Sequence, residues 1–162
     1  MIGDLHCHTK LSDGSLGIED NIVIAKRYGL DFLSITDHDT LAGITRAKVL
    51  GTRYGVHIIP GVEFSCIDPV RNRKVHILCY LSDKPDRLEG LCHSTCENRK
   101  AVGRNMIAKV MDLYPVTKEQ IAKYTLGCES IYKQHIMHVL MDMGYTTSIY
   151  GDLFRKLTPK PA

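Results

Sequence analysis

The segment nearest the N-terminus alternates metal-ligand side chains with apolar ones. In DLHCHTKLSDG, residues 4–14, Asp4, His6 and His8 occupy alternate positions and Asp13 follows shortly after. Because successive side chains of a strand point to opposite faces, the first three would share one face. Imidazole nitrogens and carboxylate oxygens are ligands of divalent metals such as zinc, manganese and iron. The spacing therefore predicts a metal site at the end of an N-terminal strand.

Further side chains of the same types follow along the predicted strands. TDHD places Asp37, His38 and Asp39 at the end of the second strand, Glu63 lies in the third, and His76 lies in the fourth. In parallel α/β folds, side chains at strand C-terminal ends converge on one edge of the sheet. Carboxylates held together without a cation would raise each other's pKa values and cost stability. More than four candidate ligands predict at least two ions, with Glu63 as the bridge between them.

Several of these residues also have an ordinary structural interpretation when taken alone. His76 fits a hydrogen-bonded core histidine, Asp13 fits a turn residue in SDGS, and Asp39 or Thr40 fits the N-cap of the second helix. Cys92 and Cys96 lie four residues apart on a predicted helix, and we interpret them as packing residues rather than zinc ligands. The metal interpretation depends on the whole set, because it is improbable that a candidate ligand would occur on every predicted strand by chance.

Alternating strand and helix patterns position these residues in the first half of the chain. The patterns predict four strands, over residues 2–7, 31–36, 56–65 and 74–81, with helices over residues 18–29 and 41–55. Single helices between strands imply parallel neighbours with right-handed crossovers. The turn-rich segment 67–73 predicts a hairpin between the third and fourth strands. Pro60 indicates an edge or a strand end within the third strand.

The second half has helical patterns only. We predict helices over residues 87–113, 117–124, 131–144 and 148–157. The expected organisation is therefore an α/β domain over residues 1–83 that carries the candidate ligands, followed by a helical subdomain over residues 84–162.

Composition places the chain among globular proteins and excludes several partner classes. Of its 162 residues, 44% are hydrophobic and 24% charged, and the net charge of +3 is too small to favour nucleic acid or an acidic membrane as partner. No stretch reaches the roughly 18 apolar residues of a membrane span, and no signal peptide is recognisable. We therefore expect a cytoplasmic protein without a membrane partner, whose six cysteines are thiols.

Four segments of the first half occur in an order and spacing that carry a family resemblance. They are DLHCHTKLSDGS, ITDHDTLAG, IPGVEFS and KVHILCY, which together span residues 4–80. These segments resemble the polymerase and histidinol phosphatase (PHP) family of metal-dependent phosphoesterases. The similarity is greatest to small nucleotide phosphoesterases that act on nucleoside 3′,5′-bisphosphates, cyclic phosphodiesters or short RNA 5′ ends. The resemblance implies hydrolysis of a small phosphorylated substrate, a nucleotide, by a metal-activated water.

The resemblance also implies a fold and a ligand set. The family fold is a distorted (β/α)7 barrel, of which this chain would be the N-terminal part with a helical insert subdomain. The ligands implied by matching position are His6, His8, Asp13, His38, Glu63 and His76. Asp4 and Asp37 would orient the histidines without touching an ion. The implied cofactors are two or three divalent ions, which would be manganese, zinc or iron.

Part of the family pattern has no counterpart in this chain. The family's later His-Pro strand and near-terminal Asp-x-His do not appear before Ala162. The expectation is a shortened protein, or a gene whose second half is lost or encoded elsewhere. A homodimer or a partner chain would then supply the missing barrel strands, because an open parallel edge favours pairing with another molecule.

Basic residues of the helical half are candidates for holding a second phosphate of the substrate. They are Arg99, Arg104, Lys133 and His135, and Lys133-Gln134-His135 stands where relatives have Arg-Pro-His. Solvated helix faces explain Arg99, Arg104 and Lys133 equally well. Two other functional classes stay open: a metal-binding PHP module that is catalytically incomplete, and an amidohydrolase-type metallohydrolase, which also begins with an HxH on its first barrel strand.

Overall fold

Parallel strands alternate with helices at the start of the chain. The computed structural model describes residues 1–157, and its first elements are β1 (Gly3–Cys7), α1 (Ile18–Arg27), β2 (Phe32–Ile35), α2 (Ile44–Tyr54) and β3 (His57–Ile58). The three strands form one parallel sheet in the order β1-β2-β3. The predicted strand-helix alternation with parallel neighbours is confirmed for these five elements.

The helices α1 and α2 bury one apolar face each in the core around this sheet. Ile18, Ile22 and Ala25 of α1 recur at intervals of three and four residues and are buried together with Leu33 and Ile35 of β2. This spacing brings the apolar side chains to one side of the helix, so that burial of that side holds the helix in the core. None of the six candidate ligands is among the buried members of this core.

A bulge interrupts the pairing of β1 with β2 among the first candidate ligands. Asp4 pairs with Leu33 and Cys7 pairs with Ile35, so three residue steps on β1 face two on β2. An extra residue bends the strand and changes the direction of the side chains around it. The strict alternation predicted for Asp4, His6 and His8 therefore does not hold along the whole of β1.

The segment predicted as a single third strand is divided at Pro60. β3 ends before this proline, and β4 (Gly61–Asp68) begins after it and pairs antiparallel with β5 (Arg73–Tyr80). Proline lacks the N–H that a continuous ladder needs, so a strand end is expected there. The predicted hairpin is confirmed, but the prediction of one strand over 56–65 is wrong. Candidate ligands of the hairpin therefore lie within antiparallel strands rather than at the C-terminal ends of parallel ones.

Two glycines lie where backbone segments approach too closely for a side chain. A Cβ at Gly61 would lie 2.5 Å from Ser34 Oγ, so β4 can begin against β2 only with glycine at this position. A Cβ at Gly14 would lie 2.5 Å from the carbonyl oxygen of His8, which closes the loop after β1 tightly. Both close approaches bring segments with candidate ligands together.

The rest of the described chain is helical. It contains α3 (Pro85–Leu113), α4 (Lys118–Thr125), α5 (Lys133–Asp142) and α6 (Asp152–Leu157). These helices agree with the predicted ones apart from their ends. Residues 158–162 of the predicted helical subdomain lie outside the described residues.

The chain divides into two compact units, Met1–Cys96 and a second unit that begins at Glu97. The division falls inside α3, whereas the boundary predicted at residues 83/84 marks the change from strand to helix. That boundary stays a prediction. The second unit has an apolar core of its own, whose buried members are Val110, Val116, Ile121, Ile136, Met137, Val139 and Leu140.

The fold is mixed α/β, and its strands over residues 1–157 form a three-stranded and a two-stranded sheet rather than a closed barrel. Across the same residues, no helix combines the length and the apolar character that a bilayer crossing requires.

Candidate metal centre

Glu63 of β4 lies at the centre of a group of histidines. Its Oε2 is 2.9 Å from His6 Nε2 and 3.0 Å from His8 Nε2. Its Oε1 is 2.8 Å from His76 Nδ1, and His38 Nδ1 lies 3.7 Å from Oε2. The carboxylate is only 4% exposed. The structure thus brings four predicted imidazoles around one buried carboxylate.

Asp13 adds a second carboxylate to this group. Its Oδ1 lies 3.5 Å from His8 Nδ1, and its Oδ2 lies 3.8 Å from His38 Nε2. The ring of His38 is 4.7 Å from that of His8 and 4.8 Å from that of His76, measured between centroids. All six residues predicted as ligands are therefore gathered in one place.

The six side chains form three overlapping groups whose potential ligand atoms lie within 4.8 Å of one another. The groups are His6-His8-Glu63, His8-Asp13-His38 and His38-Glu63-His76. Nitrogen and oxygen ligands about 2.1 Å from a shared ion lie roughly 3–4 Å apart, and the histidine–carboxylate distances of 2.8–3.8 Å are close to that spacing. The donor set and its geometry therefore fit a divalent cation.

Burial and neighbouring charges shift two pKa values within this group. Burial lowers the pKa of His38 below its ordinary value, and the carboxylates of Asp13 and Glu63 offset only part of that effect. For Glu63, burial acts to raise the pKa, but the hydrogen bond from His6 and the positive charges that His38 and His8 carry when protonated together lower it. A neutral His38 beside an ionised Glu63 is the protonation state that a cation requires of its ligands.

We expect the metal-free protein to lose stability as the pH falls. The folded pKa values of His38 and Glu63 both lie below their ordinary values of 6.5 and 4.5. The unfolded chain then binds more protons than the folded one, so unfolding becomes easier below pH 6.5 and again through the lowered pKa of Glu63. Thermal midpoints in EDTA across this range measure the effect, and a midpoint that rises with acid would contradict it.

Asp37 fixes the loop that carries Asp13. Its Oδ1 accepts hydrogen bonds from Thr9 N at 2.7 Å and Ser12 Oγ at 2.6 Å, and its Oδ2 accepts one from Thr9 Oγ1 at 2.7 Å. Ser12 Oγ also lies 3.4 Å from His8 Nδ1. Asp37 was expected to orient the histidines. In the structure its hydrogen bonds go to Thr9 and Ser12 of this loop, and only Ser12 connects it to a histidine, His8.

Replacing Asp37 with asparagine should destabilise the protein by about 3 kcal/mol, because an amide group would face donors in place of a charged acceptor. Urea denaturation of the metal-free protein measures this loss. Asp4→Asn is the matched control, since Asp4 is exposed and accepts one hydrogen bond, from His6 N at 3.0 Å. Equal stability of the two variants would contradict the role of Asp37.

Asp4 itself stands apart from the gathered ligands. Its contact with His6 is to the backbone N–H rather than to the ring. It belongs to none of the three ligand groups found among residues 1–157. An effect of Asp4 on the histidines would therefore pass through the backbone of β1.

The basic candidates of the helical half lie in the second unit. The Arg99 guanidinium lies over the Tyr132 ring at 4.6 Å, and the ring of the buried His135 meets the same tyrosine edge-on at 5.6 Å. Lys133 Nζ lies 5.8 Å from the centre of a phenylalanine ring of α6, and Arg104 is exposed. Arg99 and His135 are thus brought to one aromatic ring, and the role of all four in phosphate binding stays a prediction.

Burial raises the thiol pKa of two cysteines, Cys92 and Cys7. Cys92 is buried beside Val62 and Phe64, and burial raises the pKa of its thiol to about 12. Burial, with the charges of Asp4 and Asp37, also raises the pKa of Cys7 to about 11. No disulfide occurs within the part of the chain that the structure describes. Protonated buried thiols are poor metal ligands, which agrees with the sequence interpretation of Cys92.

Sequence reasoning missed the residues that support the candidate ligands. Thr9 and Ser12 are fully buried against Asp37, and Tyr80 OH donates a 2.6 Å hydrogen bond to the carbonyl oxygen of Leu5 in β1. A threonine and a serine three residues apart directly after the HxH were a weak signal for the first contact. The sequence contains no comparable signal for Tyr80, because its partner lies 75 residues away.

The chain is similar to known proteins along most of its length. Residues 4–153 match the PHP domain family. The chain is 38% identical over 159 residues to the phosphoribosyl 1,2-cyclic phosphate 1,2-diphosphodiesterase of Eggerthella lenta, a match that covers 97% of this chain and 61% of that protein. It is 31% identical over 166 residues to the 5′-3′ exoribonuclease Rnm of Escherichia coli, covering 96% and 53%.

A solved structure from Chromobacterium violaceum, described as an amidohydrolase with bound sulfate and no metal, has the same fold. The TM-score is 0.85 at 28% identity, and the match covers 98% of this chain and 56% of that one. The chain thus spans between 53% and 61% of the length of these three relatives.

Proposed function

The chain belongs to the PHP domain family, and on that premise we propose that it provides the metal centre of a phosphoesterase. The proposed reaction is hydrolysis of a phosphomonoester or phosphodiester of a nucleotide or short oligonucleotide. The observation that carries the proposal is the gathering of His6, His8, Asp13, His38 and His76 around the buried carboxylate of Glu63. The names of the Eggerthella and Escherichia relatives, a cyclic phosphate diphosphodiesterase and an exoribonuclease, support this substrate class.

We propose that the six side chains would hold two ions, with Glu63 contributing an oxygen to each. The groups His6-His8-Glu63 and His38-Glu63-His76 share only the carboxylate, and different oxygens of Glu63 face His6 and His76. A carboxylate can hold two cations, whereas a neutral imidazole has a single nitrogen lone pair. The group His8-Asp13-His38 would compete with both others for a histidine. A third ion would therefore need ligands in addition to these six side chains.

The buried and the exposed residues of the group would have different roles in such a centre. Divalent cations bound here would supply an activated water and positive charge for the phosphoryl oxygens. Glu63 and His38 are buried and hold the centre in place, whereas the His6 and His76 side chains are 50% and 49% exposed. We propose that a phosphoryl group approaches from the side of these two exposed histidines. The histidines act as ligands rather than as general bases, because the lone pair that binds a metal cannot also accept a proton.

We propose that the chain is part of a distorted (β/α)7 barrel with a helical insert, in which Arg99, Arg104, Lys133 and His135 hold a further phosphate. Manganese, zinc or iron are the proposed metals, since all three accept imidazole and carboxylate ligands. A second copy or a partner chain would supply further strands, and light scattering tests the former.

A substrate panel tests the proposal. The metal-loaded protein should release phosphate from adenosine 3′,5′-bisphosphate or a 5′-phosphorylated RNA trinucleotide, or open a cyclic phosphate, with manganese and not with EDTA. Bound metal without turnover would favour the catalytically incomplete module. Hydrolysis of N-acyl amino acids without phosphoester hydrolysis would favour an amidohydrolase, which is how the Chromobacterium structure is described.

A further inference from the structure

Asp39 follows His38 directly, and its surroundings differ from those of an ordinary loop aspartate. It is 1% exposed and has a φ of 53°, which is the left-handed region. Non-glycine residues adopt this conformation rarely, and aspartate and asparagine do so most easily. The sequence suggested that Asp39 or Thr40 is the N-cap of the second helix, but α2 begins only at Ile44 and its N-cap is Gly43, so that interpretation is wrong for both residues.

The backbone around Asp39 forms the start of a parallel ladder between the end of β2 and β4. Glu63 N donates to the carbonyl oxygen of Asp37 at 3.4 Å, and Asp39 N donates to the carbonyl oxygen of Glu63 at 3.0 Å. These two hydrogen bonds form the isolated bridge of His38 with Glu63. A regular parallel ladder would continue from Ser65 N to the carbonyl oxygen of Asp39.

That next hydrogen bond is made by the side chain instead of the backbone. The left-handed turn directs the Asp39 carbonyl oxygen to Cys96 Sγ, which donates to it at 3.2 Å. Asp39 Oδ1 accepts the hydrogen bond from Ser65 N at 2.9 Å. The carboxylate therefore extends the ladder by one rung after the main chain has turned away.

This rung lies between the two candidate ligands of the hairpin. Ser65 is two residues after Glu63 and is the cross-strand partner of His76. We infer that Asp39 is a positioning residue that, through its hydrogen bond to Ser65, holds Glu63 and His76 in register with His38. The inference rests on the proposed metal centre. It assigns to Asp39 a role in assembling the His38-Glu63-His76 group, whereas the His8-Asp13-His38 group does not depend on the hairpin.

Two substitutions separate the carboxylate from the backbone conformation. Asp39→Gly keeps the left-handed conformation and removes the acceptor, while Asp39→Asn keeps both an oxygen acceptor and tolerance of that conformation. Titration calorimetry with Mn²⁺ on the full chain should show that Asp39→Gly lowers the affinity for Mn²⁺ by about 10–100-fold, the usual effect of losing a group that orients ligands. Asp39→Asn should restore the affinity to within about threefold of the wild type.

Further variants keep the test decisive if Asp39→Gly fails to fold. Ser65→Pro removes the same hydrogen bond from the donor side, because proline has no N–H. Leu50 of α2 is buried in the apolar core, so Leu50→Ala controls for a general loss of stability. This variant should bind both ions as the wild type does. Wild-type affinity in Asp39→Gly or Ser65→Pro, or equal losses in Asp39→Gly and Asp39→Asn, would overturn the inference. A wild-type protein that binds no Mn²⁺ would overturn the proposed function itself.

Discussion

Replacing Glu63 with glutamine should abolish the binding of two ions and lower kcat/KM for phosphoester hydrolysis by more than about 100-fold, beyond the usual loss for a group that only orients ligands. Glu63 belongs to two of the three ligand groups, and its oxygens lie 2.8–3.0 Å from three imidazole nitrogens. Glutamine has nearly the same shape but removes the negative charge and places an N–H₂ group where an acceptor is needed. The loss therefore reports on metal binding rather than on packing.

Metal content by elemental analysis and initial rates with manganese measure this effect. Glu89→Gln is the matched control, because Glu89 is exposed on α3 and belongs to none of the ligand groups among the described residues. It should keep wild-type metal content and rate. A Glu63→Gln protein that retains two ions per chain would contradict the proposed bridging role of this carboxylate.

Adding Mn²⁺ to the metal-free protein should raise its thermal midpoint by about 10 °C, and EDTA should reverse the change. A ligand at 100 times its Kd stabilises the folded state by about 2.7 kcal/mol. In a chain of this size, each kcal/mol raises the thermal midpoint by several degrees. The cation also removes the repulsion between Glu63 and Asp13, whose carboxylates approach the same two histidines, His8 and His38.

Circular dichroism at increasing Mn²⁺ concentration measures the midpoint. The rise should be absent in Glu63→Gln and should follow the logarithm of the free metal concentration, as expected for a ligand that binds only the folded state. Mg²⁺ at the same concentration is the specificity control, because it prefers oxygen ligands and water to imidazole. An equal rise with both metals would indicate a nonspecific ionic effect and would contradict the proposed centre.

The residue types of the candidate metal centre could be recognised from the sequence because their signals are local. His6 and His8 are separated by one residue, and Asp37 to Asp39 are consecutive. Local patterns also predicted the alternation of strands and helices, the helical half and the hairpin, because hydrophobic periodicity and turn residues act over short distances. The wrong prediction of a single third strand also had a local signal, because Pro60, at which the segment is divided, is apparent in the sequence.

The arrangement of these residues depends on contacts between distant parts of the chain. The hydrogen bond of His6 with Glu63 joins residues 57 positions apart, that of Asp37 with Ser12 spans 25, and that of Asp39 with Ser65 spans 26. The sequence by itself determined which side chains could bind a metal and which elements carry them. Tertiary structure alone decided that Glu63 stands at the centre, that Asp37 holds a loop, and that Asp39 completes a ladder. The physical reason is that a hydrogen bond has strict requirements on distance and direction, and only the packed sheet and hairpin fix these for groups far apart in the chain.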